Sequence, residues 1–321
     1  MDILMWSVIF VISLGFLIKA ADVFTDSAER IGLHFKISPF IIGVTIVAFG
    51  TSLPEIATSV AAVFQGDSSM VIANVVGSNI ANILMVLGIA AIVGKHLLVD
   101  KDIINIDLPL LLGSAMLLFL TTLDGQYTYI DGTISLLALF TYLLYNAKSG
   151  RQIDEKEARH VRESNKEMKK QKKLPIKYPI KLVLAGAVIW MAADYTVEAV
   201  VSISKIMDIA TEVIAGSAIA IGTSLPELFV SVIAAKKGNT DIAIGNVTGS
   251  NIFNALAVMG IPSFFGTLTI SPEMISFAIP FMLLTTILYM FVTMDKQVSQ
   301  WEGITLTLLY VAFIGKLIGF I

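Results

Sequence analysis

Long apolar runs separated by short polar breaks account for most of this chain. A helix needs about 20 predominantly apolar residues to cross about 30 Å of hydrocarbon. Ten stretches reach that length, roughly 3–21, 38–64, 70–93, 104–122, 129–147, 179–199, 210–235, 241–265, 273–293 and 302–320. The pattern predicts an all-α membrane protein with ten transmembrane helices. The first run has no basic residues before it and nine more runs after it, so it reads as a helix of the mature protein rather than a secretory signal. Composition agrees: 56% of the 321 residues are hydrophobic and 15% charged, against roughly 25% charged in soluble domains.

Two apolar runs are broken by the same string. Gly50-Thr51-Ser52-Leu53-Pro54-Glu55 returns as Gly222-Thr223-Ser224-Leu225-Pro226-Glu227. Adding 172 carries Ala21-Asp22 to Ala193-Asp194, Ala48 to Ala220, Asn74-Val75 to Asn246-Val247, Gly77-Ser78-Asn79-Ile80 to Gly249-Ser250-Asn251-Ile252, Asn82 to Asn254 and Gly88 to Gly260. Such a register marks a duplicated five-span unit. Five is odd, so the second copy enters the bilayer from the opposite side. The expected organisation is two inverted five-helix repeats, 1–147 and 179–321, with motif-bearing segments 38–93 and 210–265. Transporters with inverted repeats place substrate at mid-membrane, where interrupted helices of the halves meet.

A charged loop, 148–178, separates the repeats. Twelve of the 22 Lys and Arg fall in 148–181, interleaved with acids such as Asp154 and Glu157. This reads as a solvated helix or linker, or as a segment that meets anionic lipid headgroups. Basic residues mark the cytoplasmic side. With this loop inside, cytoplasmic connections hold twenty of the 22, leaving Lys205 and Lys316 outside. The chain is therefore expected in the cell membrane, multi-pass, with both termini outside.

The repeated string has its own chemistry. Pro54 has no N–H and crowds the Gly50 carbonyl, so the helix should open there and release carbonyls near 48–50. Thr51 and Ser52 add hydroxyl oxygens, and Glu55 adds a charge. An ionisable residue at that depth is a functional site by default. All-oxygen ligands suit hard cations such as Ca²⁺. In the second string, Ser78 and Asn82 are four apart and share a helix face, as do Ser250 and Asn254. The expected ligands are Glu55, Glu227, Thr51, Thr223, Ser78, Ser250, Asn82 and Asn254, with carbonyls at Ala48 and Ala220. Ser52, Ser224, Asn79 and Asn251 serve either ligation or helix packing. Asp22 and Asp194 lie near predicted span ends and read as interfacial.

At these residues the chain resembles the calcium/cation antiporter superfamily, most closely its prokaryotic sodium/calcium exchanger branch. The resemblance covers both motif segments and the ten-span plan. It implies a Ca²⁺ site at Glu55 and Glu227 with Thr51 and Thr223. It also implies flanking Na⁺ sites at the Ala48 carbonyl, Thr51 and Ser78 and at the Ala220 carbonyl, Thr223 and Ser250, and a middle site at Asn82 and Asn254. Two positions depart from the family pattern: Ala73 replaces a Gly that Gly245 keeps, and Asn254 stands where this branch often has Asp. Two carboxylates match one Ca²⁺ against two Na⁺ or two protons, and the retained hydroxyls favour Na⁺.

The implied function is Ca²⁺/Na⁺ antiport, with proton/Ca²⁺ exchange through the same glutamates as the alternative. The partners are Ca²⁺, monovalent cations and the bilayer; one chain holds a complete site, and no cofactor is implied. A net charge of −3 and the absence of Cys argue against nucleic-acid partners, disulfides and thiol catalysis. His34, His96 and His160 are scattered in predicted loops without metal-ligand spacing. No nucleophile–base pair or phosphate loop points to an enzyme, and a channel would usually need a ring of subunits.

Overall fold

The computed structural model describes residues 3–35, 37–99, 103–149, 174–206, 222–317 and 319. Much of the charged loop and part of the seventh predicted span, including Ala220, lie outside the described residues. Among them, six helices are long and apolar enough to cross a membrane: 3–32, 39–64, 69–94, 177–203, 240–264 and 274–293.

The first helix, Ile3–His34, lies lengthwise against Lys177–Ile206. Buried Ala20, Ala21, Ala185, Ala192 and Ala193 keep the two close, as small residues do where lipid gives no hydrophobic drive for helix association. Buried Ser13 and Thr196 join them by a 2.9 Å hydrogen bond. Ala187, two residues after Ala185, points outward. Both helices outrun the predicted spans, because the polar residues after the apolar runs continue the helix. Asp22 and Asp194 therefore sit within helices rather than at their ends.

Two segments form the centre. Thr240–Phe253 is buried from Ile242 onward, and Ser69–Ala81 continues through a π-helical turn, Asn82–Leu87, into Gly88–Gly94. A second π turn, Asn254–Val258, begins at the repeat-equivalent asparagine. Glycine sets how closely the central helices approach. A Cβ on Gly249 would meet the Val44 carbonyl at 2.6 Å, and one on Gly245 the Phe40 carbonyl at 2.6 Å. Thr240–Phe253 thus lies almost backbone to backbone against residues 39–51. The last helix of each half packs on the other half: a Cβ on Gly303 would meet the Gly88 carbonyl at 2.6 Å, and one on Gly132 that of Gly260 at 2.8 Å.

Four short strands, not expected in an all-α chain, join the halves. His96–Leu98 pairs antiparallel with Gln297–Ser299, and Gln126–Tyr127 with Leu268–Thr269. Each pairing satisfies the backbone of a connection too short to turn as a helix. Beyond the strands, matching caps start the outer helices. The Thr128 amide and hydroxyl donate to Asp131 at 2.8 and 2.7 Å, and Ser299 does the same to Glu302 at 2.7 Å each. The large exposed side chains, such as Phe64, Val183 and Trp301, lie on surfaces that suit lipid.

Candidate cation site

Both copies of the repeated string interrupt a helix in the same way. Ala48–Thr51 ends at Ser52 (φ −88°, ψ 0°), and Leu53–Phe64 starts anew. Ser224 holds φ −88°, ψ 2° ahead of Leu225–Lys236. The proline falls in the first turn of the new helix, where its missing N–H costs nothing. One expectation changes: the Ala48 carbonyl keeps a partner, accepting the Ser52 N–H at 3.0 Å and the Thr51 hydroxyl at 3.3 Å. The break comes one turn later than the clash argument placed it, because ψ near 0° at Ser52 relieves the crowding. Gly50 still faces a proline that cannot donate to its carbonyl.

The breaks bring hydroxyls together across the repeats. Thr51 Oγ1 lies 3.4 Å from Ser250 Oγ, and Ser78 Oγ lies 3.2 Å from Thr223 Oγ1. These two contacts are repeat equivalents, each joining the first string of one half to the second string of the other. Glu55 and Glu227 are buried in the first turns of the restarted helices. The residues just before them, Pro54 and Pro226, line one cavity.

The site is rich in polar atoms with nothing to bond. Both carboxylate oxygens of Glu55 and of Glu227, both side-chain amide atoms of Asn82 and of Asn254, and the hydroxyls of Ser52 and Ser224 are buried without a hydrogen-bond partner among the described residues. A buried polar group left unsatisfied costs roughly 1–3 kcal/mol, and more if charged. So many, at repeat-related positions, suit a ligand set for hard cations. Asn82 and Asn254 each open a π turn, a local distortion common at functional sites.

Two residues that bond to the candidate site residues were missed in the sequence. Asn246 is fully buried; it accepts from Thr51 at 3.2 Å and donates to Ser231 Oγ at 2.9 Å and to the Glu227 carbonyl at 3.3 Å. Its counterpart Asn74 accepts from Ser78 at 3.5 Å. Both had shown themselves as repeated positions four residues before a site serine, hence on one helix face with it. Asn79 and Asn251 face packing partners. Asn79 donates to the Asn251 carbonyl at 3.3 Å, and Asn251 to the Val247 carbonyl at 2.6 Å.

The family model for sodium/calcium exchanger proteins matches the chain over residues 5–148 and again over 177–319. The chain is 33% identical to sodium/calcium exchanger MaX1 of Methanosarcina acetivorans, covering 95% of this chain and 96% of that protein. It is 32% identical to inner membrane protein YrbG of Escherichia coli, covering 94% and 92%. A solved structure of the sodium-calcium exchanger NCX_Mj, soaked with Na⁺ and no Ca²⁺, superposes with a TM-score of 0.83 at 30% identity, over 98% of this chain and 99% of that one. The chain is not an enzyme but a membrane cation/Ca²⁺ antiporter, and it belongs to the sodium/calcium exchanger family.

Proposed function

We propose that this chain exchanges Ca²⁺ for Na⁺ across the cell membrane by alternating access, with Glu55 and Glu227 as the shared anchor for the divalent ion. The observation that carries this is the four buried carboxylate oxygens without a partner among the described residues. The hydroxyl pairs that serve Na⁺ cross the repeats, Thr51 with Ser250 rather than Ser78 and Thr223 with Ser78 rather than Ser250, because the second string of each half lies against the helix break of the other. Asn82 and Asn254 line the space between, Ser52 and Ser224 supply further oxygens, and the Ala48 carbonyl becomes available to an ion when the Thr51 hydroxyl turns away from it. Two bare carboxylates are costly in a closed, dry site. Only a loaded site then crosses the barrier, and the two fluxes are coupled.

Ten spans in two inverted repeats, with termini outside and the 148–178 loop in the cytoplasm, fit the pairings between the halves. In that arrangement His96–Leu98 and Gln297–Ser299 are both cytoplasmic, and Gln126–Tyr127 and Leu268–Thr269 are both external. Each antiparallel pair then joins connections on one face. The bond from Asn239 to Glu29 at 2.8 Å also stays on one side. Shifting either half by one span would separate every one of these partners by the bilayer.

Proton coupling is the second reading. It is favoured by amides at both Asn82 and Asn254, which leave two carboxylates as the site's only charges. Ca²⁺ flux into proteoliposomes decides between them. A Na⁺ gradient alone is expected to drive uptake and a pH gradient alone to fail; the reverse would overturn Na⁺ coupling.

A further inference from the structure

We infer that Asp194 is a cation-recruiting residue in the passage to the Glu55–Glu227 site, an inference that rests on the antiport reading for its role but not for its chemistry. A cavity of about 200 Å³ opens between the helix Lys177–Ile206 and the two helix breaks, and Pro54, Thr58, Trp190, Asp194, Thr223 and Pro226 are among its lining residues. Its floor adjoins the site directly. Thr223 is one of the site hydroxyls, and Pro54 and Pro226 immediately precede Glu55 and Glu227, whose buried oxygens have no partner among the described residues.

Trp190, Ala193, Asp194 and Val197 present one face of their helix to this cavity, at the i, i+3, i+4, i+7 spacing of a single stripe. Asp194 is nine residues short of the end of the candidate span Lys177–Ile203, about 13 Å along the helix at 1.5 Å per residue. Asp194 is exposed and lines this mostly apolar cavity, and a charge at that depth needs a cation or water there to offset it. No basic side chain neutralises Asp194 among the described residues.

The repeat supplies an internal control. Asp22, the equivalent of Asp194, is held by Lys237 Nζ at 2.7 Å and Lys19 Nζ at 3.3 Å. Its charge is cancelled locally, while that of Asp194 is left to act on whatever enters the cavity. A cavity carrying one sign of charge between low-dielectric walls concentrates counter-ions. The ligand class is a hard cation, Na⁺ or Ca²⁺, approaching from the face that is external in the proposed orientation.

The chain has no cysteine, so a single thiol reports on the cavity without background. Thr58→Cys in the purified full-length protein is reacted with a cationic and a neutral methanethiosulfonate reagent. The ratio of the two rates is expected to exceed that of a free small thiol by about threefold to tenfold at low ionic strength. It should fall to the free-thiol value in Asp194→Asn, recover in Asp194→Glu, and stay high in Asp22→Asn. Val197→Cys gives a second probe of the same cavity should Thr58→Cys fold poorly. In vesicles, Asp194→Asn should raise the half-saturating external Ca²⁺ by about the same factor, with the difference shrinking as salt screens the charge. A rate ratio or a half-saturation indifferent to Asp194→Asn overturns the inference. Loss of Ca²⁺ transport in the unsubstituted protein would strike the antiport reading and leave the thiol result standing.

Discussion

The two halves of the site carry the same strings and are not in the same condition. On one side Thr51 is buried, Ser250 and Asn246 bond to it or beside it, and Asn246 also holds Ser231 and the Glu227 backbone. On the other side Thr223 and Asn74 are half-buried, and Ser59, the counterpart of Ser231, is buried with no partner among the described residues. On the first side the backbones are also close: a Cβ at Gly249 would run into Val44 and Ala48, and one at Gly245 into the Phe40 carbonyl. The repeat counterparts of those partners, residues 212, 216 and 220, lie outside the described residues. The difference that the described residues carry is one of hydrogen bonding: equal strings leave Asn246 holding Thr51, Ser231 and the Glu227 backbone, and Asn74 bonded to Ser78.

The largest expected effect removes the comparison altogether. Glu55→Gln and Glu227→Gln should each lower Ca²⁺ uptake in proteoliposomes by about 100-fold or more, the scale of about 3 kcal/mol for breaking a buried charged pair. The two losses should match, because the anchor is shared; one silent variant would break the symmetry of the proposal. Next, Gly249→Val should drive a branched side chain into Val44 and Ala48 and lower stability by about 1–3 kcal/mol, as read by thermal unfolding. Unchanged stability would mean that Thr240–Phe253 does not lie so close to residues 39–51.

Smaller still, Asn246→Ala leaves Thr51 and Ser231 without their shared partner. About 1 kcal/mol or more per buried group left unpaired should lower Ca²⁺ uptake roughly tenfold, against roughly threefold or less for Asn74→Ala. The weakest expected effect is that of Lys237→Ala. It breaks a partly exposed pair with Asp22, an interaction of less than about 1 kcal/mol, and should change the exchange rate less than about threefold.

Much of this was legible in residue order. Apolar run lengths located the six long apolar helices among the described residues, and the 172-residue register singled out Glu55, Glu227, Asn82 and Asn254, whose buried polar atoms have no partner among the described residues. Hydropathy could not show the four strands, since two or three residues pairing across halves leave no trace in composition. The π turns at Asn82 and Asn254 were hidden for a related reason: one extra residue per turn changes hydrogen bonding, not residue type. Asn246 was visible as a repeated position, but its role depends on reaching a threonine 195 positions away. The kink argument at Pro54 foresaw a break but placed it a turn too early, at the Ala48 carbonyl, because it treated proline as a mid-helix residue instead of the start of a new helix.

The most direct test of the central claim is calorimetric titration of Ca²⁺ into the purified protein, unsubstituted and with Glu55→Gln or Glu227→Gln. The account expects saturable Ca²⁺ binding that Na⁺ displaces, and its loss in either variant. Ca²⁺ binding of unaltered affinity in one of the single variants would contradict a site shared by both carboxylates.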